Sequence, residues 1–157
     1  MKYFIVLLLM LLMTSACSRD IHIQLGDSMN VVNNQQTLII SLNSLSVFQS
    51  GNKTAIVIES DGLVQKLVEF SMDRKCCAVY GLTLIKNGDF GCYMGGNINE
   101  LKEKLGEAHA DIGSGFYIPA YITEDGYLIC FELEDNVVCE VIKRDLLTNV
   151  IVERLSQ

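Results

Sequence analysis

The chain has 157 residues, nineteen acidic and twelve basic, for a formal charge of −7. Lys2 is the only charged residue before Cys17, so the part from Cys17 onward sets 19 acidic against 11 basic residues and repels phosphate backbones. There is no basic stripe with interleaved aromatics and half the residues are hydrophobic, which together exclude nucleic-acid binding and disorder from the expectations.

The chain opens with Met1-Lys2, runs uncharged from Tyr3 to Met13, and reaches Thr14-Ser15-Ala16 just before Cys17. One positive charge, eleven uncharged residues and a small-residue run have the layout of an export signal over residues 1–16. Eleven residues make a helix of roughly 16 Å, far short of the ~30 Å hydrocarbon core. Cys17 directly after the small residues resembles the lipobox of bacterial lipoproteins. Thr14 stands where Leu, Val or Ile is usual in that family. The resemblance implies cleavage between Ala16 and Cys17 and acylation of the Cys17 thiol. Two or three acyl chains, at ~0.8 kcal/mol per buried CH₂, anchor stably where one is marginal. The expected location is therefore the cell envelope, anchored to the outer face of the cytoplasmic membrane or to the outer membrane. Plain secretion after Ala16 is the alternative.

Residues 17–37 are polar and read as a lipid-anchored tether and turn, with a turn or brief helix around Asp27 to Asn34. Residues 38–157 read as a single α+β domain. Strand-like runs follow at Leu38 to Phe48, Thr54 to Glu59, Leu63 to Phe70 and Cys77 to Lys86. Asp61-Gly62 and Asn87-Gly88 mark turns, because tight hairpin turns need residues that tolerate positive φ. From Asn97 the period changes. Ile98, Leu101 and Leu105 define one face of a helix, with Asn97 as N-cap, Glu100 three residues on and Gly106 closing it. A three-stranded meander is expected after it, over Phe116 to Thr123, Tyr127 to Leu133 and Val137 to Lys143. In the middle strand Tyr127, Ile129, Phe131 and Leu133 alternate with Leu128, Cys130, Glu132 and Glu134, and the first set should face the helix.

An internal echo runs through the chain. Gly26 to Val32 is similar to Gly95 to Leu101, and the hairpin around Asp61-Gly62 is similar to that around Asp135-Asn136, at offsets of 69 and 74 residues. Residues 25–86 and 92–145 are thus candidate half-repeats, against two hairpins that merely look alike.

The run Gly95 to Gly106, Glu107-Ala108-His109, Gly113-Ser114-Gly115 and the strands after it resembles the small envelope modules of the β-lactamase-inhibitor-protein-like superfamily. That superfamily includes the outer-membrane lipoproteins of the barrel-assembly machinery. The resemblance covers residues 92 to 145. It implies helices on one face of an antiparallel sheet and protein binding through an exposed face or loops, with no catalytic centre.

Six cysteines occur: Cys17, Cys76, Cys77, Cys92, Cys130 and Cys139. With Cys17 acylated, five remain, an odd number. Small buried hydrophobes is one reading of them. A disulfide between Cys130 and Cys139, diagonal neighbours if a two-residue loop sets Cys130 opposite Val141, is another. No closely spaced pairs suggest zinc, and no metal or cofactor is expected. His109 with Asp111 lacks a third partner and a placed nucleophile, and Gly113-Ser114-Gly115 does not satisfy Gly-x-Ser-x-Gly. No catalytic residues are assigned. Tyr117, Tyr121 and Tyr127 form a candidate binding surface, since Tyr offers a rigid area with a polar tip. The reading is an anchored protein-binding or scaffold module whose partners are the membrane, through Cys17, and another envelope protein. A small-ligand receptor with a pocket between helix and sheet is the alternative.

Overall fold

The computed structural model describes residues 22–156. Ala16 and Cys17, the expected cleavage and lipidation positions, lie outside the described residues. Ile23 is buried, and helix α1 (Met29–Gln35) follows. The turn or brief helix expected around Asp27 to Asn34 is α1, and the buried Ile23, Met29 and Val32 tie this stretch, read as tether and turn, into the fold.

Five strands follow as an antiparallel meander: β1 (Thr37–Leu42), β2 (Leu45–Ser50), β3 (Lys53–Ser60), β4 (Leu63–Ser71) and β5 (Cys76–Tyr80). The run Leu38 to Phe48 is not one strand. Asn43 takes φ +45° and turns the chain back, so Leu42 pairs with Leu45. Asn adopts this left-handed conformation more readily than most residues. The run expected from Cys77 to Lys86 stops at Tyr80, because Gly81 takes φ +77° with Gln65 carbonyl oxygen 2.9 Å from where a Cβ would stand. The chain then crosses over, and Ile85 pairs in parallel with Thr123.

The second half repeats the order. A short 3₁₀ turn (Gly91–Tyr93) leads to helix α2 (Ile98–Leu105) and the strands β6 (Ala110–Asp111), β7 (Pro119–Ile122), β8 (Tyr127–Glu134), β9 (Val137–Asp145) and β10 (Val150–Ser156). These form a second five-stranded antiparallel sheet in meander order. Asn97 caps α2 as its sequence suggests, its side chain accepting from the Asn99 and Glu100 amides.

The molecule is α+β, with two helices and two meander sheets stacked in four layers: α1, first sheet, second sheet, α2. The inner faces share one core, in which Ile56, Val68 and Phe70 meet Ala120, Leu128 and Cys130. The outer faces are covered separately. Met29 and Val32 of α1 pack on Phe48, Val57 and Leu67. Leu101 of α2 packs on Tyr121, Ile129 and Phe131, with Tyr127 and Leu133 at the edge, so the alternating set in β8 faces the helix. Each sheet thus buries both faces, as a layered core requires.

The halves match bond for bond where helix meets hairpin. The Gly26 amide donates to the Val64 carbonyl, Val64 to Asp27, and Met29 to Gly62. Gly95 donates to Val138, Val138 to Gly96, and Ile98 to Asn136. The offsets are 69 residues before the helix and 74 in the hairpin. The bulge repeats as well: the β3–β4 register skips Gln65, and the β8–β9 register skips Cys139.

Candidate functional site

The three tyrosines proposed as a surface do not come together. Tyr121 is 0% exposed, its ring 5.9 Å from Phe131 and its hydroxyl donating to the Gly106 carbonyl at 2.9 Å. Burial raises its pKa. It belongs to the core beneath α2, because the strand alternation turns it inward beside Ile129. Tyr127 lies between two cations, with Arg74 Cζ 4.9 Å and Lys143 Nζ 4.4 Å from its ring centroid. Only Tyr117 is exposed, on the loop with Phe116. The space between α2 and its sheet is packed by Leu101, Tyr121 and Phe131.

That loop is fixed rather than open. The Asp111 carboxylate accepts from the Gly113 and Ile118 amides, and a Cβ on Gly113 would run into the Phe116 carbonyl oxygen. Gly113-Ser114-Gly115 is therefore a tight loop closed by a carboxylate.

Cys130 and Cys139 are free. The bulge at Cys139 shifts the register by one, so Cys130 faces Ile142 instead of Val141. Cys130 points into the inter-sheet core, and burial pushes its thiol up to about 12. Cys139 approaches the Glu132 carbonyl at 3.4 Å. An extra residue in one strand re-aims a side chain in this way, and the pair does not form a disulfide. Cys76, Cys77 and Cys92 are exposed and free.

His109 is buried where the halves meet. Its Nδ1 accepts from the Ile122 amide at 2.8 Å, and Lys66 Nζ from the other half donates to the His109 carbonyl at 2.7 Å. Burial, then the neighbouring Lys66 charge, lower its pKa to about 4, against a backbone hydrogen bond with Thr83 that raises it. A neutral imidazole used as an acceptor in the core is a structural group.

A second tie joins the halves. Arg74, at φ +65° between β4 and β5, pairs with Asp145 at the end of β9 and donates to the Asp125 carbonyl. Burial raises the Asp145 carboxyl, but Arg74 and the Thr148 and Leu147 hydrogen bonds outweigh it and hold the group below its ordinary value.

An outer face carries an open groove of about 470 Å³ lined by His22, Ile23, Gln24, Leu25, Leu67, Glu69 and Tyr80. Leu67 and Tyr80 are cross-strand partners on the side of the sheet that carries α1. Leu25 is 48% and Tyr80 50% exposed. Sequence reasoning missed the groove, because it assigned residues 22–25 to a tether. A signal existed in Ile23 and Leu25, apolar residues in an otherwise polar stretch.

Among the described residues, no group of three or more His, Cys, Asp or Glu side chains gathers as a metal site, and no helix is long and apolar enough to cross a membrane. No family model, curated protein or solved structure matches the chain.

Proposed function

We propose that the protein is an exported, lipid-anchored envelope protein that binds another envelope protein and performs no catalysis. The observation that carries this is Cys17 directly after an eleven-residue uncharged run and Thr14-Ser15-Ala16. A run of that length is too short to hold the chain across a bilayer, and acyl chains on Cys17 supply the missing affinity. The strong negative charge of the rest of the chain gives no electrostatic attraction to anionic lipid, which favours a covalent anchor.

Intact-mass analysis of the protein extracted from membranes tests the anchor. The expected mass lacks residues 1–16 and carries added diacylglycerol, and Cys17→Ala yields an unacylated chain. A chain recovered from the cytosol with Met1 still in place overturns the reading.

A further inference from the structure

The groove at Leu67 and Tyr80 has an internal counterpart that is already filled. By the matching hydrogen bonds and registers, Leu67 and Tyr80 correspond to Val141 and Leu155, which are also cross-strand partners on the outer face. In the second half the chain's own segment lies over that pair. Phe90, Tyr93 and Met94 pack in one cluster with Val141 and Leu155, and a Cβ on Gly91 would stand 2.9 Å from Leu155 Cδ1. Phe90 and Tyr93 stack at 6.5 Å, and Tyr93 meets Phe131 edge-on at 5.8 Å. By the same offset the positions of Phe90, Tyr93 and Met94 fall on Ile21, which lies outside the described residues, and on Gln24 and Leu25, and among the described residues the space is left as the groove.

The charge at the site is also reversed. Lys143 in the second half donates to Asn87 Oδ1 of the covering segment at 2.7 Å. Its counterpart, two residues beyond Leu67 as Lys143 is two beyond Val141, is Glu69, which lines the groove. A carboxylate there asks for a donor, best a cation, from whatever lies on it.

We propose that this groove binds a polypeptide segment of a partner protein that carries an aromatic residue followed at short spacing by a second, with a basic residue on the Glu69 side. Such a segment repeats in trans what residues 86–95 do in cis. The proposal rests on the reading of the chain as a protein-binding module and names its surface.

The probe is a labelled ten-residue peptide with the sequence of residues 86–95, made with Cys92→Ser, and a second version that also carries Asn87→Lys. Fluorescence anisotropy with the full chain in detergent should give saturable binding of both, with the lysine peptide roughly tenfold tighter. Glu69→Lys on the protein should reverse that preference, and Gln24→Tyr, which lets the first half fill its own groove, should weaken both peptides at least tenfold. A peptide with serine in place of Phe90 and Tyr93 should not bind. Absence of saturable binding, or the same preference before and after Glu69→Lys, overturns the proposal. A photocrosslinking residue at position 80 should join the peptide. In phosphatidylethanolamine–phosphatidylglycerol vesicles, an adduct with lipid alone, or with a second copy of the chain, overturns it in favour of that occupant. The same crosslinker at positions 80 and 116 in cells separates the two levels. A protein adduct from 116 but none from 80 overturns the groove alone, and no protein adduct from either overturns the binding function as well.

Discussion

At the scale of single residues, the junction between the halves decides how the protein responds to acid. His109 is held neutral in the fold with a pKa near 4, against about 6.5 when unfolded. Between those values the unfolded chain binds the extra proton, so stability is intact above about pH 6.5 and falls as pH drops toward 4, by roughly 3 kcal/mol in all. Asp145, held below its usual value, extends the loss to lower pH. Glu132 works the other way, because burial and the facing Glu140 raise its carboxyl. Urea unfolding at half-unit steps from pH 7.5 to 4 should show this slope, and His109→Gln should lose it while starting from a lower stability at pH 7. Arg74 is the second such residue. Arg74→Met leaves Asp145, whose side chain is 8% exposed, with its Leu147 and Thr148 hydrogen bonds alone. The expected cost is about 2 kcal/mol, less than for a fully buried pair because Arg74 is partly in water. An unchanged melting temperature would show that the Leu147 and Thr148 donors suffice.

At the scale of elements, the caps and turns are local chemistry that the chain writes openly. Asn97 accepts two amide bonds at the start of α2, so Asn97→Ala should destabilise by about 1 kcal/mol and Asn97→Asp by much less, read as the shift in urea midpoint. The α2 boundaries and the strands β3, β4, β8 and β9 were legible from capping residues, alternation and Asp-Gly or Asp-Asn turns. Three elements were not. The turn at Asn43-Ser44 sits inside the strand-like run Leu38 to Phe48, where serines already alternate with apolar residues and Asn-Ser does not stand out as a turn. β6 has two residues, too few for any period. β10 offered a signal in Val150-Ile151-Val152 after Asn149, which takes φ +57°, but its residues are mostly exposed on an edge and lack alternation.

At the scale of the whole molecule, the halves share a single inner core and should not unfold one at a time. Phe70 is 0% exposed in that core. Phe70→Ala should cost about 3–5 kcal/mol and keep one cooperative transition. Two resolved transitions, by calorimetry and by hydrogen exchange in α1 and α2, would show instead that the halves are independent. The same stacking corrects the expected binding surface. A sheet whose two faces are largely covered offers loops, edges and grooves to a partner.

The sequence by itself determined what depends on near neighbours: the capped helix α2, the hairpins and the inward side of β8. Only the tertiary structure decided that Tyr121 is core, that residues from Ile23 onward belong to the fold, and that Cys130 and Cys139 stand apart. The physical reason is visible in β3, where Thr54 to Ile58 are all buried. Such a strand reads as a continuous apolar run, which says that both faces are covered without saying by what. The covering partner here is an equivalent half of the same chain, brought there by contacts between residues some seventy positions apart.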